Sequence, residues 1–531
     1  VDVDAAVTRV LGEGVELRES QRDALAGLAE HDTLLVARTG AGKTAVYAVA
    51  TLVAERLTVV VSPLLALQRD QVTSLRESGL RAASVSSART AAQQREALEA
   101  AASGDLDVLL LGPEQLQREV VLDALQQADV GLVVVDEAHC VSEWGHDFRP
   151  DYLLVGWAVH RLGDPRVLAL TATASAHVRE EIVAQLEMRD PRVLVHDADR
   201  PNIWLGARPA ASEDERDAYV REAVLDEPGA VIVYARTRAH TEALAGALAE
   251  DGRPALVYHA GLPAKERSAA QDRFLSGDAD LVVATSAFGM GVDRADVRLV
   301  VHAGPPTTLD SYYQEVGRAG RDEEPARALV VHRPEDHGLA RYQRASGGSR
   351  PQTLTSVVRA LEEGPADQAT LAERTELARR TVARALGELQ RVGAVRDDDG
   401  RFRTVEGARV RRVLADVKAE RERRARLETS RVDLVRTYTD TTDCRRRLLL
   451  ELLGEERRDV CGHCDSCDAG TSVRASEDRV RPGQAVRHQE FGPGVVSVVE
   501  ADRLTVLFED RGYVTLDTDV ALDAEILTVE G

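Results

Sequence analysis

Lysine is nearly missing from this 531-residue chain: Lys43, Lys265 and Lys418 stand alone, so almost all of the 67 basic residues are arginine. Aromatic residues make up only 4%, so a ring in a polar stretch stands out. No uncharged apolar run reaches the roughly 18 residues that a membrane-spanning helix needs, which excludes a helical membrane protein. Positive charge is in deficit too, with 89 acids giving a formal net charge of −22. That excludes nucleic-acid binding through the average surface field and leaves only a basic channel inside an acidic shell. Cysteine is limited to five, and four of them fall between positions 444 and 467. That excludes a disulfide framework and favours a metal site. The stretch Val1 to Leu17 carries several acids and no charged-then-apolar export pattern, so a cytoplasmic location is expected.

What is present is a division into parts. The length asks for roughly three to five domains. Short apolar runs at 34–37, 58–62, 108–111, 131–135 and 167–170 alternate with helical stretches. A second such series runs through 230–234, 255–258, 281–284, 298–302 and 328–332. The alternation predicts two tandem α/β domains with parallel sheets, 1–205 and 206–345, with Ala207 to Glu215 as a polar, proline-containing linker. Residues 346–407 give helix, helix, helix and hairpin, the order of a winged helix, with Arg379, Arg380, Arg384 and Arg391 on its third helix. Residues 408–470 form a charged helix and a cysteine-bearing helical module. Residues 478–531 alternate short strands with turns such as Phe491-Gly-Pro-Gly, as a small β-barrel does.

Two segments carry nucleotide chemistry. Ala37-Arg-Thr39-Gly40-Ala41-Gly42-Lys43-Thr44 follows a buried strand and opens a helix. Its glycines let backbone N–H groups reach phosphates, Lys43 suits the outer phosphates, and the Thr44 hydroxyl suits Mg²⁺. A lysine kept here, in a chain whose default cation is arginine, strengthens that reading. Asp136-Glu137-Ala-His139 closes the run Gly131-Leu-Val-Val-Val, and a carboxylate at the end of a buried strand is costly unless used. Asp136 suits the same Mg²⁺, and Glu137 suits the attacking water.

Gln314-Glu-Val-Gly-Arg318-Ala-Gly-Arg321 lies in the second α/β domain. Two arginines three apart suit fingers aimed at a γ-phosphate from across a cleft; a solvated helix face is the bland alternative. Cys444, Cys461, Cys464 and Cys467 suit a closed tetrahedral zinc site of structural kind. His463 competes as a ligand, but four sulfurs make the better set. Cys140 stands apart as a buried thiol.

Together these segments resemble superfamily 2 helicases, and several narrow the resemblance to the RecQ family. They are Val61-Ser62-Pro63-Leu-Leu-Ala-Leu-Gln-Arg-Asp-Gln71, Asp136 through Trp144-Gly-His146-Asp-Phe148-Arg149 to Tyr152, and Leu170-Thr171-Ala-Thr173-Ala. Further matches are Arg200-Pro-Asn-Ile203, Tyr258-His-Ala-Gly261, Ala284 to Asp293, Ser311 to Asp322, and the cysteine module with Cys444-Arg-Arg-Arg-Leu. The resemblance implies two RecA-like domains with ATP between them and a 3′-to-5′ DNA-unwinding motor acting in repair or recombination. Its partners would be single-stranded and forked DNA, its cofactors ATP, Mg²⁺ and Zn²⁺.

It further implies that Trp144 and Phe148 stack on bases, that Arg149 links DNA to the ATP site, and that Ser62, Pro63, His146, Thr171 and Thr173 serve the DNA side. Arg18 and Gln21 become the adenine-reading pair, although Gly14 stands where the family offers an aromatic. The winged-helix segment precedes the cysteines here, whereas the family places it after them. The C-terminal barrel is similar to the Tudor/SH3-like module of UvrD-type helicases, and either appendage could dock proteins. The rival readings are an RNA helicase, a translocase that does not unwind, and a scaffold with a vestigial motor.

Overall fold

The computed structural model describes residues 2–530, apart from 39, 64, 87–88, 143–148, 197, 290–291, 293, 337–347, 399–400, 406–408, 456, 458, 473–478 and 501. The first lobe is built on a seven-stranded parallel sheet. Its order is Ala82–Val85, Val108–Leu111, Leu57–Val61, Val130–Val135, Arg166–Thr171, Thr33–Val36, Arg192–Val195. Thr33–Val36 and Leu57–Val61 are buried at every position, because helices cover both faces; that is why they read as unbroken Val/Leu runs. The two outermost strands were not expected from sequence. Ala82–Val85 is short and made of small residues, and Arg192–Val195 is largely exposed at an edge.

A six-stranded parallel sheet forms the second lobe, in the order Leu256–Tyr258, Leu281–Ala284, Ala230–Ala235, Val297–Ala303, Ala326–His332, Ile203–Pro209. Its last strand corrects the linker reading. Ala207 to Pro209 ends an edge strand that pairs along its whole length with Ala326–His332, and Glu213 already opens the helix Glu213–Leu225. Proline is tolerated at an edge, so Pro209 did not bar a strand.

Helices Pro351–Glu362, Gln368–Thr375 and Arg379–Arg391 precede the antiparallel hairpin Val395–Asp398/Arg401–Thr404, the expected winged-helix order. Leu354, Val358, Leu386 and Leu389 form its core, closed by Val413 and Val417 of the following helix. That helix, Val410–Asp440, runs for 31 residues. It leads through Arg445–Leu452 to the cysteine module. The C-terminal unit is a five-stranded antiparallel sheet, ordered Gly512–Asp517, Arg503–Phe508, Gly492–Val499, Ala485–His488, Leu527–Val529. It is seated on the long helix; Leu507 joins the first lobe's apolar core together with Leu427, and Val498 joins the second lobe's. Among the described residues no helix is long and apolar enough to cross a membrane.

Candidate active site and metal centre

Strand Thr33–Val36 delivers the chain into the glycine-rich loop. Gly42 has φ +71°, which favours glycine, and a Cβ there would lie 2.6 Å from the Gln21 amide nitrogen and push that side chain aside. Lys43 opens the helix Lys43–Ala54 and donates to the carbonyls of Ala37 (3.0 Å) and Arg38 (3.5 Å). Burial holds its ammonium below the ordinary lysine value, against the pull of Glu137 and Asp136, and Arg321 of the second lobe pushes the same way. A lysine, two carboxylates and an arginine from the facing lobe thus share one field. Gln21 Nε2 donates to the Ala41 and Gly42 carbonyls (3.1 and 3.0 Å), and its Oε1 accepts from the Arg18 N–H (2.9 Å). Arg18 Nη1 donates to the Gly40 carbonyl at 2.7 Å. This pair grips the phosphate loop, a use that the adenine-reading expectation did not include. Thr39 lies outside the described residues; Thr44 follows Lys43 in the first turn of the helix.

Asp136 is buried at the end of strand Val130–Val135. Burial first, then the charge of Glu137, pushes its carboxyl up to about 6, while a hydrogen bond from Gln71 Nε2 (2.9 Å) and the Lys43 charge pull it back. Glu137 has φ +50°, in the left-handed region, which is strained for a residue with a side chain and is held here by its neighbours. Its N–H donates to Asp136 Oδ1 at 3.0 Å, and its carboxylate lies 3.3 Å from His139 Nδ1. His139 also meets the Thr171 hydroxyl (3.0 Å), which donates to the Thr173 carbonyl (3.0 Å). Thr171 and Thr173 are both buried, so they connect one segment to another inside the lobe.

The arginine-bearing turn follows helix Leu309–Val316. Gln314 is half-buried; Arg318 is buried, and among the described residues its Nε meets no acceptor while its Nη1 donates to the Val292 carbonyl at 3.5 Å. Arg200 is the clamp under this turn, donating to the carbonyls of Gly317 (3.0 Å), Ala319 (2.7 Å) and Gly320 (2.7 Å). Burial, aided by the Arg38 charge, lowers its own pKa to about 10. Asn202 adds bonds to the carbonyls of Gly320 (2.8 Å) and Glu324 (2.9 Å). Gly320 has φ +54°, and a Cβ would come within 2.8 Å of the Glu324 carbonyl. An ion pair, Arg38–Glu323 at 3.3 Å, spans the lobes at the mouth of the cleft.

On the proposed DNA side, Arg149 Nη1 donates to the Pro63 carbonyl at 2.9 Å, which joins two segments far apart in sequence. Ser62 is fully buried: its N–H donates to the Leu111 carbonyl, and its own carbonyl accepts from Gln68. Trp144, His146 and Phe148 lie outside the described residues.

The sulfur atoms of Cys444, Cys461, Cys464 and Cys467 all lie within 4.8 Å of one another, and those of Cys461 and Cys467 are 3.8 Å apart. Zinc–sulfur bonds of about 2.3 Å in a tetrahedron place sulfurs roughly 3.8 Å apart, so the donor set fits zinc. The cluster is anchored by arginines for which the sequence suggested no role. Arg445, Arg446 and Arg447 are all buried. Arg445 pairs with Asp465 (2.5 Å), Arg446 with Asp199 (3.4 Å) and the Ile203 carbonyl, and Arg447 with Asp443. Sequence reasoning also missed Gln71 and the function of Arg200; a buried arginine shows itself only through the carbonyls it faces.

Comparison with known proteins agrees with this architecture. Residues 18–182 match the DEAD/DEAH box helicase family, residues 215–323 the helicase conserved C-terminal domain, and residues 406–468 the RecQ zinc-binding family. The chain is 30% identical over 498 residues to the ATP-dependent DNA helicase RecQ of Bacillus subtilis, covering 92% of this chain and 71% of that one. It is 37% identical over 322 residues to the ATP-dependent DNA helicase RecQ of Pasteurella multocida, covering 60% of this chain and only 50% of that one. Among solved structures, helicase MrfA bound to DNA and AMPPNP is similar in fold, with a TM-score of 0.53 at 19% identity over 76% of this chain and 62% of that one.

Proposed function

The chain belongs to the RecQ family of ATP-dependent DNA helicases, and from that premise we propose a motor that hydrolyses ATP between its lobes, moves 3′-to-5′ on single-stranded DNA and unwinds duplex. Its work is in DNA repair or recombination, in the cytoplasm. The observation that carries this reading is the ion pair Arg38–Glu323 at 3.3 Å, which sets the phosphate loop of the first lobe against the arginine-bearing turn of the second; Arg321 of that turn adds to the lowering of the Lys43 ammonium. Two facing cations repel one another, and a polyanion placed between them turns that repulsion into attraction.

The roles then follow from position. Arg18, Gln21 and the loop from Thr39 to Gly42 hold the nucleotide, and Lys43 draws on its outer phosphates. Thr44 and Asp136 hold Mg²⁺, which supplies positive charge to the triphosphate when bound. Glu137 orients the attacking water and takes its proton. Arg318 and Arg321, set by Gln314 and the Arg200 clamp, meet the charge that develops on the leaving phosphates. Pro63 and Arg149 face the strand, and the family pattern gives Trp144, His146 and Phe148 to its bases, which offer a π-face whatever their identity. Thr171 and Thr173 relay between the two sides through His139. The exposed Arg379, Arg380, Arg384 and Arg391 of the winged helix suit duplex phosphates, which makes a forked DNA the fitting substrate.

Strand displacement on 3′-tailed, 5′-tailed and blunt duplexes with ATP and Mg²⁺ tests the proposal. Unwinding of the 3′-tailed substrate alone is expected. Equal unwinding of 5′-tailed DNA, or ATPase stimulated by RNA and not DNA, would refute it.

A further inference from the structure

Helix Leu65–Glu77 begins just past the Ser62-Pro63 turn. Gln68 and Gln71, three residues apart, share one face of it. Both are buried, at 1% and 8% exposure. Gln68 Nε2 donates backwards to the Ser62 carbonyl at 2.8 Å, and Gln71 Nε2 donates forwards to Asp136 Oδ2 at 2.9 Å. From the opposite side Arg149 donates its guanidinium to the Pro63 carbonyl (2.9 Å) and its N–H to the Cys140 carbonyl (2.9 Å). One rigid turn of helix therefore has the strand-facing loop at one end and the Mg²⁺-holding carboxylate at the other.

The fold alone gives no reason for an amide at position 71. Among the described residues its Oε1 is buried without a protein donor, a cost that an apolar side chain of similar size would avoid. Asp136 receives hydrogen bonds at both oxygens, from the Glu137 N–H on Oδ1 and from Gln71 on Oδ2. Only the second comes from an element that also carries the Pro63 turn.

We infer that Gln71 is the positioning residue through which DNA binding at the Pro63 turn sets the Asp136 carboxylate for hydrolysis. A strand that displaces the turn shifts the helix, and with it the hydrogen bond on Oδ2. Small displacements of this kind have large kinetic effects, because the charged groups of the cleft must be aligned together. The inference rests on the motor reading above.

The test compares ATP hydrolysis by the full chain and by Gln71→Leu, with and without an oligo-dT strand, across ATP concentrations. Leucine keeps the packing volume and removes the amide. DNA-stimulated kcat is expected to fall about tenfold, with the KM for ATP and the Kd for labelled oligo-dT within about threefold of the parent's. Stimulation preserved in Gln71→Leu overturns the inference, as does a loss explained by weaker oligo-dT or ATP binding. Should leucine impair folding by thermal melting, Gln71→Met serves the same comparison. A parent chain whose ATPase ignores DNA refutes the motor reading itself, before any variant is measured.

Discussion

The zinc centre and the ATP cleft are both clusters of charged or ionisable side chains, yet they are built in opposite ways. The four thiols come from one stretch of 24 residues, and buried arginine–carboxylate pairs brace them on every side. The cleft takes its groups from two lobes and leaves them in tension. Lys43 is held below its ordinary value, Asp136 above its own, Glu137 sits in a left-handed conformation, and Arg318 Nε has no acceptor among the described residues. The Arg38–Glu323 pair that spans the mouth is partly exposed, a kind worth about 0–1 kcal/mol. The structural site draws its four ligands from one module and is braced against the second lobe, whereas the working site keeps its strain for the ligand to relieve.

That contrast can be broken most forcefully at Arg321. Arg321→Ala should lower DNA-stimulated ATP turnover about 10³-fold, the scale of a lost arginine finger. Binding of a fluorescent ATP analogue and the zinc content by elemental analysis should stay unchanged; zinc loss would show that the two sites are not independent. Cys464→Ser is the reverse experiment. It should release zinc and cost several kcal/mol of folding energy, about 10 °C in melting temperature at 2–4 °C per kcal/mol. Nucleotide affinity measured below the transition should be retained.

Arg200→Ala removes the clamp beneath the arginine turn without touching either cluster. A roughly tenfold to hundredfold drop in kcat with little change in KM is expected, and a rise in KM alone would place Arg200 in nucleotide binding instead. The smallest effect sharpens the idea of tension. Asp136 has a folded-state pKa of about 6, above its unfolded value near 3.9. Between those values the folded chain binds more protons, so this group's contribution to stability falls as pH rises through the window. In nucleotide-free protein, Asp136→Asn should therefore melt a few degrees higher than the parent at pH 7.5. The gap should narrow as pH falls through about 6 and close near about pH 4, and a gap that widens in acid would contradict the burial argument.

Much of this was legible in the sequence, for a physical reason. Interior strands buried on both faces must be continuous apolar runs, so Val59–Val61 and Val133–Val135 announced themselves, and the loops that follow such strands carry the chemistry. The metal centre was legible because its ligands are local. Three of the four edge strands of the parallel sheets were not, Leu256–Tyr258 being the exception: Ile203–Pro209 mixes glycine, arginine and proline because only part of it is covered. Nor were the long-range partners of Arg200, Gln71, Arg445 and Arg446, since a side chain's hydrogen bonds to groups distant in sequence leave no pattern along the chain. The relation of the winged helix to the rest was also hidden until Val413 and Val417 of the following helix appeared in its core.

The helix Val410–Asp440 then acquires a mechanical meaning. Its far half is gripped by both lobes, by the first through Leu427 and by the second through Leu434, Val435 and Tyr438, and its near half forms part of the winged unit. Between Val413 and Leu427 lie about 20 Å of uninterrupted rod. A tilt of about 10° at the gripped end sweeps the other end through about 4 Å by simple geometry on that length. The winged unit is therefore coupled to the seam between the lobes, and not to either lobe alone.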